Sequence, residues 1–228
     1  MLPLHYWFQF KKLRIILAWI GGAFLLWGSR VNEKSFKLGL PLILAGELVR
    51  IWSLGFLEKR GKILATAGPF AYVRNPLYLG NFLIGLGVIL AANRLWLTGV
   101  FLVGFVILYR GTVAREEEDL LQKFGEAYRT YLSAVPCFVP RLTPHSSGSG
   151  ISFRRERFLQ YREHITWVGL VLFLLGLFLF EKVVRAKKFF WKEKWALALL
   201  LAGILYLICE WSFREWKKRF RVAKAVVC

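Results

Sequence analysis

Cysteine, histidine and acidic residues are what this sequence has least of. Its three cysteines, Cys137, Cys209 and Cys228, form no spaced framework, which excludes a small disulfide-stapled fold and points to a reducing setting or plain apolar packing. Cys228 is the last residue, whereas prenylation needs a cysteine four from the end, so the chain is not expected to be prenylated. His5, His145 and His164 are scattered without metal-ligand spacing, and no metal site is expected. No internal repeat is evident. Acid is scarce against base, 14 Asp and Glu to 33 Lys and Arg, for a formal net charge of +19. In a soluble chain that balance would suggest nucleic acid.

What is abundant argues otherwise. Hydrophobic residues make up 57% of the chain and aromatics 17%, too much for a domain whose surface must be polar. The apolar residues fall in continuous blocks, each close to the roughly 20 residues that cross a hydrocarbon core. Blocks near Leu13 to Ser29, Phe36 to Leu57, Leu77 to Ala92, Leu95 to Arg110, Ile165 to Phe180 and Trp195 to Trp211 predict an all-α, polytopic membrane bundle of about six transmembrane helices. They are unbroken rather than alternating, which excludes a barrel. Span one begins with Lys11, Lys12 and Arg14 like a signal peptide, but no small-x-small cleavage site follows it, so it is expected to remain a span.

The basic residues sort by side, so topology explains them without nucleic acid. With the N-terminus inside, about 22 Lys and Arg fall on cytosolic segments and about 10 on the other side, while Arg50 lies within span two. Both termini are therefore expected in the cytosol, in the cell's inner membrane. The loop from Glu181 to Lys194 dissents, holding six of the outer ten. Trp7, Trp27, Trp96, Trp191 and Trp211 stand at block ends, as interfacial belts do.

Charged stretches from Glu58 to Pro76 and from Gly111 to His164 interrupt the apolar pattern. The second opens with a helix-like run to about Ala134, continues through Pro136, Pro140 and Pro144, and ends in the Ser/Gly tract 146–150. That tract is read as a linker between a catalytic unit, residues 1–145, and a basic two-span hairpin, residues 151–228. Arg154, Arg155, Arg157 and Arg162 at the hairpin's edge would favour anionic headgroups by about 1 kcal/mol each.

The first charged stretch contains Arg74-Asn-Pro-Leu-Tyr-Leu-Gly80. By local rules alone, Gly68-Pro69 makes a turn and Asn75 caps a helix that starts at Pro76. The second contains four consecutive carboxylates, Glu116 to Asp119, which alone would be a solvated helix face. Beyond them, Phe124, Tyr128, Tyr131 and Val135 recur at i, i+3 and i+4 spacing, an aromatic face for the membrane or for closing a cleft. Gly85-Leu-Gly87 inside a span reads as close helix packing.

Together the two blocks resemble the isoprenylcysteine carboxyl methyltransferase family, related to phospholipid N-methyltransferases. That family has Arg-His-Pro-x-Tyr-x-Gly followed, across a helical hairpin, by Glu-Glu-x-x-Leu-x-x-x-Phe-Gly-x-x-Tyr-x-x-Tyr-x-x-x-Val-Pro. The resemblance runs from about Lys62 to Pro140 and includes Leu64-Ala-Thr-Ala-Gly68. It implies S-adenosylmethionine as cofactor in a cytosol-facing pocket, with a lipid-embedded small-molecule acceptor entering laterally. Carried over residue by residue, cofactor contacts fall on Lys62, Ile63, Leu64, Ala65, Phe70, Asn75, Pro76, Leu77, Tyr78 and Glu116, with Arg74 and Glu117 at the transfer site. The chain departs from the pattern at Asn75, where the family has His, and at Thr112, where the prenylcysteine enzymes have an Arg facing the substrate carboxylate. Carboxyl O-methylation is the favoured expectation. Phospholipid amine N-methylation, sterol-type reduction and non-catalytic lipid binding are the alternatives.

Overall fold

In a computed structural model, the described residues are 28–58, 63–94, 96–145, 152–161, 163–181 and 194–226, together with Gly21 and Leu25. They form seven α-helices: α1 (Glu33–Phe56), α2 (Pro76–Ala91), α3 (Trp96–Phe124), α4 (Glu126–Ala134), α5 (Glu156–Gln160), α6 (Glu163–Phe180) and α7 (Lys194–Val226). One 3-10 turn, Gly68–Ala71, interrupts the stretch between α1 and α2. Stretches within α1, α3, α6 and α7 are long and apolar enough to cross a membrane, and α2 is a shorter apolar helix. The chain is an all-α integral membrane protein. Most of the first expected span, Leu13 to Ser29, lies outside the described residues, as do Lys62 and most of the Glu181 to Lys194 loop.

The chain divides into two compact units, Met1–Tyr161 and Arg162–Cys228. The Ser/Gly tract read as a linker lies outside the described residues. The segment just after it, from Ser152 to Tyr161, packs on the first unit, where the Arg154 N–H donates to the Gly55 carbonyl at 3.0 Å. In the second unit α6 and α7 pair, with Gly203 so close to Leu172 that a Cβ there would fall 2.5 Å from its side chain.

The first unit is organised by the antiparallel pair α1 and α2. Asn32 starts α1 with a reciprocal capping box: the Ser35 N–H donates to Asn32 Oδ1 at 2.8 Å and the Asn32 N–H to Ser35 Oγ at 3.0 Å. The Ser35 hydroxyl also reaches the Ala91 carbonyl at 3.0 Å, tying the start of α1 to the end of α2. Between these ends, Gly39 faces Gly87 and Gly46 faces Gly80. A Cβ at Gly39 would stand 2.2 Å from the Gly87 carbonyl oxygen, and one at Gly46 2.6 Å from that of Gly80. Both pairs are seven residues apart, two helical turns, so they lie on one face of each helix and let the backbones touch. Gly85, in contrast, faces the Phe101 ring of α3. Gly85-Leu-Gly87 thus serves packing on two sides.

Helix α3 corrects the expected element pattern. It does not stop at Arg110 but continues unbroken through the carboxylate run to Phe124, because Gly111 to Lys123 contains no proline and no turn signal strong enough to end a helix. The run expected to reach Ala134 as one helix instead splits at Gly125, whose φ of 54° suits a residue without a Cβ. From Trp96 to Glu116 is about 30 Å of helix, one hydrocarbon thickness, so the carboxylate run begins at the far interface, with Arg110 and Arg115 in the last turns before it.

Candidate active site

Five contacts join the two motif blocks into one surface. The Tyr131 hydroxyl donates to the Phe70 carbonyl at 2.8 Å, and the Arg74 N–H to the Pro136 carbonyl at 2.9 Å. Asn75 Nδ2 donates to the Cys137 carbonyl at 3.2 Å. The Tyr78 hydroxyl donates to Glu116 Oε1 at 2.5 Å, and Arg74 Nη2 lies 3.3 Å from Glu117 Oε1. Two further backbone bonds, Arg141 to Tyr72 and His145 to Ala71, carry the chain after Pro136 back along the first block.

The local fold explains how the first block reaches this place. Gly68, with φ of 61°, turns beneath the Phe56 ring, which leaves no room for a Cβ. Pro69 then opens the 3-10 turn, and Pro76 sits at the first position of α2. Asn75 stands at the N-cap as expected, but its side chain makes no capping hydrogen bond. Its amide is drawn to Cys137 instead, which corrects the capping reading and leaves Asn75 on the pocket wall.

The resulting pocket has a volume of about 130 Å³. Of the expected residues, Ile63, Leu64, Ala65, Phe70, Arg74, Asn75, Glu116 and Glu117 line it. Tyr78 belongs to the arrangement through Glu116 rather than through the wall. Leu77 does not line the pocket, and Pro76 faces an adjacent apolar groove with Trp52 and Tyr72. Helix α4 closes the cleft with its aromatic face: Tyr128 and Tyr131 are buried and line the wall beside Phe124, and Val135 completes their cluster. Glu58 also lines the pocket and was missed by sequence reasoning. A carboxylate directly after an apolar block in the charged Glu58 to Pro76 stretch was the available signal.

Electrostatically the pocket is a mixed site. The Arg74 and Glu117 groups are close enough for an ion pair but poorly aligned, so among the described residues Arg74 Nε and Glu117 Oε1 are buried without a hydrogen-bond partner. Tyr128 has its pKa pushed up to about 12, first by burial and then by the nearby negative charge of Glu117. At neutral pH it is a neutral hydrogen-bond donor. Burial raises the Tyr131 hydroxyl still further.

A second polar group, also missed, lies deeper in the membrane-spanning part. Glu47 of α1 is 2% exposed and 4.0 Å from Arg50. Arg50 donates to Asn81 Oδ1 of α2, and Asn81 Nδ2 donates to Tyr109 of α3 at 3.1 Å. The Tyr109 ring meets Tyr78 edge-on with centroids 4.7 Å apart. The chain of contacts thus runs from a buried carboxylate to the Tyr78–Glu116 pair. Charged residues inside an apolar block are the signal, since they are costly there unless paired.

With this geometry described, comparison with known proteins is informative. Residues 35–127 match the family model described as phospholipid methyltransferase. The chain is 28% identical over 117 residues to the cobalt-zinc-cadmium resistance protein CzcN of Cupriavidus metallidurans, covering 51% of this chain and 54% of that one. It is 29% identical over 134 residues to the nickel-cobalt-cadmium resistance protein NccN of Alcaligenes xylosoxydans xylosoxydans, covering 58% and 56%. It is 33% identical over 85 residues to protein-S-isoprenylcysteine O-methyltransferase of Schizosaccharomyces pombe, 36% of each chain. The chain thus spans about half the length of the first two relatives and about a third of the last. No solved structure matches it.

Proposed function

We propose that the chain, whose residues 35–127 match the phospholipid methyltransferase family model, transfers a methyl group from S-adenosylmethionine to a lipid-embedded acceptor. The observation that carries this reading is the convergence of both motif blocks on one pocket, with Tyr78 bonded to Glu116 and Arg74 beside Glu117. The donor set suits the cofactor: carboxylates for its positive charges, Arg74 and the Asn75 amide for anionic or carbonyl groups, and aromatic faces for the adenine. Ile63, Leu64, Ala65 and Phe70 supply the apolar wall. Bound there, S-adenosylmethionine would supply an electrophilic methyl on a sulfonium, which becomes a neutral thioether once the acceptor's lone pair has taken the methyl.

For such an in-line displacement the protein mainly aligns and dehydrates, an effect that reaches about 7 to 11 kcal/mol for well-oriented groups. Arg74, 14% exposed at its side chain, holds an anionic acceptor at the membrane surface. This makes carboxyl O-methylation the first reading. A second, amine N-methylation, is favoured by the buried Glu117 Oε1, which would take the ammonium proton. Tyr128 stays protonated at neutral pH beside the charge of Glu117. The asymmetry of the basic residues supports a cytosolic position for this face. Labelling of a cysteine introduced in the 146–150 tract by an impermeant reagent outside intact cells would reverse that orientation.

The test is to incubate membranes holding the chain with methyl-labelled cofactor and identify the labelled lipid by mass. A labelled carboxyl ester supports the first reading and a labelled amine the second. If no lipid is labelled while the purified chain also fails to bind S-adenosylmethionine in calorimetry, the proposal falls.

A further inference from the structure

The pocket just described is too small for its proposed ligand. Sites for molecules of drug size occupy roughly 300 to 1,000 Å³, against about 130 Å³ here. Directly beyond Glu58, which lines both spaces, a second cavity of about 390 Å³ is lined by Glu58, Arg154, Glu156, Arg157 and Gln160. Among the described residues, those that line it are all charged or polar and carry both signs of charge, with their aliphatic stems forming part of the wall. This is the lining a zwitterion needs.

The wall is built by a segment lying past the residues that the family model matches. Residues 152–161 are held on the end of α1 by Gly55, whose carbonyl accepts from the Arg154 N–H at 3.0 Å and from Arg157 Nη1 at 2.9 Å. That bond places the Arg157 guanidinium at a helix C-terminus, where positive charge is favourable, and it is 8% exposed. Phe153 packs over Gly55 against the Phe56 ring, with centroids 5.9 Å apart. Arg154 is left exposed on the cavity, with its backbone, not its guanidinium, committed to the anchor. Glu58, which also lines the cavity, has its Oε2 buried and, among the described residues, without a hydrogen-bond partner.

We propose that this cavity takes the amino-acid end of S-adenosylmethionine, with its carboxylate on Arg154 and its ammonium on Glu58, so that residues 152–161 complete the cofactor site. The inference rests on the methyltransferase reading above and adds to it the orientation of the cofactor. The adenosine end lies among the motif blocks and the zwitterionic end points away from Glu117, past Glu58. Arg157 supports the wall, since its guanidinium is spent on Gly55.

Two thioether ligands separate the alternatives, because S-adenosylhomocysteine carries the amino-acid end and 5′-methylthioadenosine lacks it. Their affinities are measured by calorimetry on the purified full chain, in wild type, Glu58→Gln, Arg154→Gln and Arg154→Lys. A charge-assisted contact predicts about ten- to hundred-fold weaker S-adenosylhomocysteine binding in the Gln variants, methylthioadenosine binding unchanged, and partial recovery in Arg154→Lys. Equal weakening of both ligands would mean that the pocket itself had collapsed, and unchanged binding of both would mean that the cavity is uninvolved. Either result overturns the proposal while leaving the methyltransferase reading intact. Wild type that binds S-adenosylmethionine and neither thioether would overturn it too, and failure to bind any of the three brings down both.

Discussion

Replacing Gly39 or Gly46 by alanine adds one methyl group to each glycine contact between α1 and α2. At Gly39 the new carbon would lie 2.2 Å from the Gly87 carbonyl oxygen and 2.7 Å from the Ala91 nitrogen, both backbone atoms. Ordinary contact begins near 3.4 Å, so the helices must part by about 1.2 Å there, and by about 0.8 Å at Gly46, forfeiting much of the dispersion between them. Overpacking of this kind costs about 1 to 3 kcal/mol, with Gly39→Ala the worse of the two. Gly99 and Gly104 of α3 are the controls, because a Cβ at either meets nothing within 4 Å. Their alanine variants should be neutral or gain up to about 1 kcal/mol in helix propensity. Reversible unfolding in detergent micelles, followed by the loss of helical circular dichroism, reads the difference. If Gly39→Ala proved as stable as Gly99→Ala, the direct backbone contact would be wrong.

Three other outcomes follow from the site. Glu116→Gln, which keeps the shape but removes the charge facing Tyr78, should weaken S-adenosylmethionine binding by about 1 to 3 kcal/mol in calorimetry; unchanged affinity would return the carboxylate run to a solvated helix face. Arg74→Lys should cut turnover of the labelled acceptor strongly and leave cofactor affinity within a few-fold, since a planar fork is lost while a charge is kept. Loss of cofactor affinity instead would move Arg74 into the cofactor's own site. For Tyr128 the folded pKa of about 12 exceeds the unfolded 10.0, so the folded state keeps a proton that the unfolded state releases. Its contribution is fully present below pH 10 and is lost between pH 10 and 12. Tyr128→Phe should flatten that part of the stability curve in alkaline unfolding, and a curve unchanged by the substitution would refute the assignment.

How much of this was readable beforehand differs by residue. Hydropathy located the membrane helices to within a few residues at most ends, because lipid imposes one length and one polarity on every span. It misplaced the end of α3, where the helix simply continues into water and nothing marks the crossing but charge. Both blocks of the site were visible as motifs, and the structure brings eight of the expected residues around one pocket. Asn75 shows the limit of local rules: the position is an N-cap, but a carbonyl sixty-two residues later outcompetes the cap. Glu58 and the Glu47–Arg50–Asn81–Tyr109 chain show in the sequence only as charges beside or inside apolar blocks, without their partners. Each depends on partners brought together across helices, and no spacing within one segment announces them.

That buried polar chain also bears on how the protein enters its membrane. Helix α1 carries Glu47 and Arg50 within its span, and centrally placed charges cost about 2.5 to 3.5 kcal/mol each on insertion scales. Arg50 lies 4.0 Å from Glu47 on its own helix, but the Asn81 side chain to which it donates is on a helix that has not yet been made when α1 emerges from the ribosome. Insertion as a hairpin removes the difficulty, with α1 committed to lipid once α2 can lie against it and meet its guanidinium. A nascent chain stopped before Pro76 should thus insert α1 less completely than one extended through Ala91. Replacing Arg50 and Glu47 together by leucine should make the two alike.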